Sequence, residues 1–366
     1  MELTIHQQVL ASAVVIGLVI GGVSSKTNFC TLGAVSDWVN MGDTARMRAW
    51  LLAIAVAILG VTLLDATGLA VIGVNTFPPY QTPNFAWLRY LVGGLMFGVG
   101  MTLASGCGNK TLVRIGNGNI KSLIVLVIAS LCAYAMLWTD FYGVVFNPLV
   151  ATTSIDLAMH GIRSQSVGDL LGASRTVAGS AIGLVIFIFV IAGKDFRQSK
   201  DAMIGGFTMG IAVTLGWWVT GGAWGNTWKE FADFADVRPL RVDTQSLTFV
   251  SPMGDLVHFL LNPWDVSLLN FGIMVMIGVV LGSFIVSAWS RQIRFELFAN
   301  GKDLANHVLG AILMGVGGVL AMGCTIGQGV TGVSTLAIGS FLALLAMMVG
   351  AAATIKYMYW RIMRET

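Results

Sequence analysis

Charge is scarce in this chain: of its 366 residues only 11% are Asp, Glu, Lys or Arg, against about 25% in an ordinary soluble domain. With 56% hydrophobic residues, a soluble fold of this length could not hide its apolar surface. No basic stretch precedes the first apolar run, residues 9–23, where Glu2 and His6 are the only side chains able to carry charge. A cleaved signal peptide is therefore not expected. Paired cysteines are missing too. Cys30, Cys107, Cys132 and Cys324 stand far apart, with no CxxC and no Cys/His cluster, so neither a disulfide framework nor a metal site is indicated and no cofactor is expected. His6, His160, His258 and His307 are scattered and form no obvious quinone or haem ligand set.

What the sequence has is long apolar runs that can each cross a hydrocarbon core of about 30 Å. Nine segments are expected to do so: 9–25, 48–74, 85–105, 121–139, 169–192, 202–221, 267–289, 304–322 and 336–356. The expected fold is an all-α polytopic membrane protein forming one domain over residues 1–366, with short re-entrant or broken helices besides the spans. The net charge of +3 then speaks about orientation and not about a nucleic-acid partner. Alternating loops place Arg46, Arg48, Lys110, Arg114, Lys121, Lys194, Arg197, Lys200, Arg291, Arg294, Lys302, Lys356, Arg361 and Arg364 on one side. The other side receives Arg89, Arg163, Lys229, Arg238 and Arg241. The richer side is expected to face the cytoplasm, which leaves the N-terminus outside and the C-terminus inside.

The chain repeats itself. GGLMFGVGMTLASGCG from Gly93 matches GAILMGVGGVLAMGCT from Gly310 at eight of sixteen positions, ending on Gly106-Cys107 and Gly323-Cys324. A weaker match sets IGGVS at Ile20 against IGGFT at Ile204. In the nine-span count the paired segments run in opposite directions, so repeats over about 9–139 and 202–356 are inverted, joined by a linker helix at about 169–192. Such a plan puts the working site near the midplane where the halves meet.

Four stretches interrupt the apolar pattern with glycine and polar residues: 24–33, 105–118, 216–226 and 323–332. Non-helical backbone at membrane depth is tolerated only where protein buries it or a wet cavity borders it, so the breaks are candidates for a pathway. A half-helix beginning there presents free amides and partial positive charge to an anion. Lys26, Lys110 and Arg114 sit in or beside the breaks, and no acidic residue lies within them. For Lys26 and Arg114 the plainer alternative, cytoplasmic-edge residues obeying the orientation rule, carries equal weight. Asn109 and Gln328 complete the polar candidates for the lining. Among the cysteines, Cys132 lies in an unbroken apolar run and reads as packing. Cys30, Cys107 and Cys324 each sit in a break and read as functional; a neutral thiol is a weak donor suited to a soft acceptor such as sulfur.

At NFC (28–30), SGCGNKTLVR (105–114), GCTIGQGVTG (323–332) and the glycine-rich segments before them, the chain resembles the YeeE/YedE family of membrane proteins. The resemblance runs over nearly the whole sequence. It implies thiosulfate uptake through a bundle of inverted repeats with plunging short helices, with Cys30, Cys107 and Cys324 relaying the ion by S–H···S contacts. It also implies a TusA-like cytoplasmic sulfur carrier as a partner, expected as a separate protein and not as a domain fused after Thr366. A selenium compound or another sulfur anion stays open as cargo. So does a function of another class, a membrane thiol oxidoreductase, against which the lack of CxxC speaks.

Overall fold

The computed structural model describes residues 3–365. The chain is helical, and each of the nine expected segments coincides with a helix. These are α1 (Ile5–Thr27), α3 (Ala45–Thr67), α4 (Trp87–Leu103), α6 (Ile120–Trp138), α7 (Arg175–Ile191), α8 (Lys200–Gly221), α11 (Phe271–Trp289), α12 (Gly301–Leu320) and α13 (Ile338–Glu365). Between them lie shorter helices, the longest being α2 (Thr31–Met41), α5 (Gly108–Gly116), α9 (Ala223–Phe234) and α10 (Val250–Leu261). Among the described residues, eight helical segments are long and apolar enough to cross a membrane. Helix α7 has 17 residues, about 26 Å at 1.5 Å per residue, which is the lower limit for a span. The chain is thus an all-α, multi-pass membrane protein.

Local chemistry sets the ends. Thr4 and Gln7 form a reciprocal capping box at the start of α1, and Asn270 and Asn300 cap α11 and α12 by accepting from Ile273 and Asp303 amides. The segment expected to run to residue 74 stops at Thr67, because Gly68 takes a left-handed turn (φ 68°) and closes the last helical turn. The helix expected over 169–192 begins only at Arg175, and the last one continues past 356 to Glu365.

The long helices touch through small residues. α1 packs on α11, α8 on α3, and α4 on both α12 and α13. A Cβ at Gly21 would collide with the carbonyl of Val279, and one at Gly98 with the carbonyl of Met347. Without a hydrophobic drive between helices in lipid, such backbone proximity is what supplies the packing energy.

One interval departs from expectation. Residues 222–266 read as an outer loop carrying Lys229, Arg238 and Arg241. Instead α9 is followed by an irregular stretch, 242–249, buried at every residue but Asp243, that leads into α10. Its first strand residues, Thr244–Gln245, pair in parallel with Thr76–Phe77. Arg241 is not a free loop cation: its guanidinium makes two bonds of 2.7 and 2.9 Å to Asp255, which is buried on α10. Asp255 also accepts from Trp138 Nε1 at 3.1 Å and Asn270 Nδ2 at 2.9 Å, so every part of this buried carboxylate is engaged.

Two predictions follow from these contacts. Gly21→Val should destabilise the protein by about 3 kcal/mol through overpacking, seen as loss of a monodisperse peak and a lower melting temperature in detergent. Gly73→Ala, at a position with open space around it, should behave as wild type. Arg241→Gln strands the Asp255 charge and should cost about 3–5 kcal/mol, read from the same thermal melt.

Candidate functional site

α4 and α12 end alike, in the same register of the sequence repeat. At the first, Gly106 N donates to Met101 O (2.8 Å) and Ser105 N to Thr102 O (3.2 Å); at the second, Gly323 N donates to Gly318 O (2.8 Å) and Met322 N to Val319 O (3.0 Å). Both are Schellman closures, which need a left-handed residue at the turn. Here it is not glycine but Ser105 (φ 61°) and Met322 (φ 63°), a conformation that costs an L-residue about 1–2 kcal/mol. A side chain braces each turn: Arg114 donates to Ser105 O at 2.6 Å and Gln328 Nε2 to Ala321 O at 2.6 Å.

Beyond each closure the chain restarts as a short helix, and a cysteine stands at the restart. Cys107 is the N-cap of α5 and Cys30 the N-cap of α2, neither cap using a side-chain hydrogen bond. Cys324 immediately precedes the helical stretch 325–334, whose turn at Gly327–Gly332 is π-helical. The first amides of such helices have no partner within the helix. All three thiols are buried and unpaired. The Cys107 thiol meets the side chains of Cys30, Thr31 and Thr325, and Cys324 Sγ accepts from Gly327 N at 3.4 Å. Thr31 and Thr325 each keep a buried hydroxyl with no hydrogen-bond partner, as do the amide oxygens of Asn109 and Gln328. Native proteins leave few buried polar atoms unmet; others occur at Trp50, Gln81, Ser130 and His258, but those of Thr31, Thr325, Asn109 and Gln328 stand beside the cysteines, where they can serve a ligand.

The cations separate. Lys110 is half-buried beside Cys30 and Cys107, and its Nζ donates to Asn28 Oδ1 at 3.1 Å. Arg114 braces the Ser105 turn instead of facing the thiols. Lys26 is exposed and borders a groove with Trp289 and Gln292, outside the cysteine cluster. A cavity of about 260 Å³ opens onto Cys30 between Asn28, Arg46, Asp37, Asp43 and Asp201. The breaks contain no acid, yet this vestibule does; Asp37 is held by Arg46 at 3.0 Å.

Of the four breaks, three converge. The third, at 216–226, does not: Gly222 kinks the chain between α8 and α9 beside Leu69 and Trp218. Its place is taken by 242–249, whose Phe249 backbone meets the Cys324 thiol. Sequence reasoning missed this stretch, together with Thr31 and Thr325. The threonines could have been found, since each directly follows a break cysteine. Cys132 lies on α6 against α12, where a Cβ on Gly315 would come within 2.7 Å of its own.

A family model described as sulphur transport matches residues 26–353. The chain belongs to that family. Two known proteins are similar to it over nearly its whole length. The thiosulfate transporter TsuA of Escherichia coli (strain K12) is 26% identical over 368 residues, covering 97% of this chain and 96% of that protein. The thiosulfate transporter TsuA of Spirochaeta thermophila (strain ATCC 700085 / DSM 6578 / Z-1203) is 23% identical over 349 residues, covering 93% and 96%. Cys30, Cys107 and Cys324 all lie inside the matched region.

Proposed function

We propose that this protein takes up thiosulfate across the bacterial inner membrane, passing the ion along Cys324, Cys107 and Cys30 to the cytoplasmic vestibule. The observation that carries the proposal is the convergence of three buried, unpaired thiols at short-helix starts, together with full-length similarity to proteins named thiosulfate transporters. A dianion leaving water loses hydration worth on the order of tens of kcal/mol in an idealised low dielectric. Free amides at the starts of α2, α5 and 325–334 and the Lys110 ammonium offset part of it. Neutral thiols meet the terminal sulfur with weak S–H donors, which favours passage over trapping. Asn109 and Gln328 border the same neck.

The halves 9–139 and 202–356 act as inverted copies around this neck, with α7 as linker. In support, α1 packs on α11 of the other half and α8 on α3, the exchange expected of two interlocked copies. The start of α1 faces outward and the end of α13 the cytoplasm, with the termini Met1 and Thr366 themselves outside the described residues; on that side the vestibule beside Cys30 would hand the intact ion towards a TusA-like carrier. Contact between Cys30 and Cys107 favours one competing reading, thiol exchange, in which the pair would take a disulfide from a partner protein, reducing the partner to its dithiol, and pass it on by the reverse exchange.

The test is growth on thiosulfate as sole sulfur source in a host stripped of its own uptake systems. Alanine at Cys30, Cys107 or Cys324 should abolish growth at normal membrane abundance, whereas Cys132→Ala should grow as wild type, losing only packing. Cys107→Ser should keep a reduced uptake, down about tenfold, and no covalent sulfur adduct should appear on the protein by mass spectrometry during turnover; serine as inactive as alanine, with such an adduct, selects thiol exchange. A C-terminal reporter active only in the periplasm would overturn the orientation.

A further inference from the structure

Most hydroxyls packed around the 242–249 stretch are used. Thr331 Oγ1 donates to Leu247 O at 2.7 Å, Ser246 Oγ to Val213 O at 2.7 Å, and Ser334 Oγ to Thr331 O at 2.6 Å while accepting from Trp217 Nε1 at 3.1 Å. Two are not. Tyr80 is 1% exposed and Thr248 3% exposed, and neither hydroxyl has a partner. Both belong to the surroundings of Cys324. The Tyr80 hydroxyl is within electrostatic reach of that thiol, its ring standing edge-on to Trp217 at 6.3 Å. Thr248 covers Gly327, where a Cβ would come within 2.6 Å of Thr248 Oγ1, and the Gly327 amide is the one that donates to Cys324 Sγ. Any side chain at 327 would collide with the Thr248 hydroxyl.

The stretch TFVS (248–251) opens α10 as NFCT (28–31) opens α2. Val250 stands where the other segment has Cys30. The side of the neck beyond Cys324 thus has one thiol and two unspent hydroxyls, whereas the vestibule side has the Cys30–Cys107 pair.

We infer that Tyr80 and Thr248 form an outer binding station for a sulfur oxyanion, their O–H groups donating to its oxygens while Cys324 meets its terminal sulfur. The inference rests on the uptake reading above and adds the residues that read the hard end of the ion. Hydroxyl donors prefer hard oxygen acceptors and are blind to the terminal sulfur, so the station captures the ion and Cys324 makes the distinction from sulfate.

Uptake of radiolabelled thiosulfate by Tyr80→Phe and Thr248→Val, both nearly isosteric, tests this. Each should raise KM about tenfold, as expected for a lost hydrogen bond to a charged group, with kcat nearly unchanged. Inhibition by sulfate should weaken in the same proportion, and the melting temperature in detergent should be unchanged or higher, because an unpartnered buried hydroxyl has been removed. Cys324→Ser, measured alongside, should alter the thiosulfate-to-sulfate preference instead. If KM stays at the wild-type value, or if the two variants lose thermal stability and uptake together, the station is overturned while a defective Cys324→Ser upholds the pathway. If Cys324→Ser also transports normally, the pathway reading fails with it.

Discussion

A peptide group at membrane depth must find a hydrogen-bond partner, and the site depends on how the chain meets that demand while leaving a helix. At Ser105 and Met322 the closing turns keep the carbonyls of α4 and α12 bonded. Arg114 and Gln328 take up carbonyls of the turns themselves. The orphan groups are thereby shifted from carbonyls, which repel an anion, to the amides at the starts of α5 and 325–334, which attract one. The left-handed strain at a serine and a methionine is the local cost of that sorting. With α2 added, three amide-rich ends and three thiols meet in one neck.

Holding such ends together requires a frame that does not relax into them. Backbone-to-backbone contact at Gly21 and Gly98 fixes the long helices, and the Asp255 group of Arg241, Trp138 and Asn270 fixes the start of α10. Around 242–249, side chains satisfy the backbone: Thr220 bonds both the amide and the carbonyl of Gln245, and Thr331 the carbonyl of Leu247. Polar atoms are therefore spent where this stretch needs them, while several beside the cysteines, among them those of Thr31, Thr325 and Asn109, stay unspent.

Hydropathy made the nine helices legible, since length and apolar composition are properties of one segment at a time. The Gly-Cys register was legible for the same reason and picked out two of the three thiols. The 242–261 stretch was not. Its apolar run is short and carries Ser251, Pro252, Asp255 and His258, and what makes Asp255 tolerable inside is Arg241, Trp138 and Asn270, drawn from a loop and two other helices. Lys26 misled in the opposite way. It adjoins a break in sequence, but the last turn of α1 directs it to the surface. Tyr80 was hidden because it lies in the segment between α3 and α4, which reads as loop and is in fact folded back onto Trp217.

The charges of the neck and vestibule suggest why a dianion would move on and not stay. Arg46 is engaged by Asp37, and Arg114 by a carbonyl. Lys110 bonds the neutral amide of Asn28, so its charge is left to act on whatever stands at Cys107 and Cys30. An anion drawn inward by that charge next meets the vestibule, where Asp43 and Asp201 stand beside the Asp37–Arg46 pair. Attraction at the neck is thus followed by a wall of mixed sign in a wetter space, in which screening weakens every interaction. Each partner along the way is a thiol, a hydroxyl or a helix end, individually weak, and no single position combines a full ion pair with complete hydrogen bonding. A binding site built for storage would do so; a conduit has to avoid it.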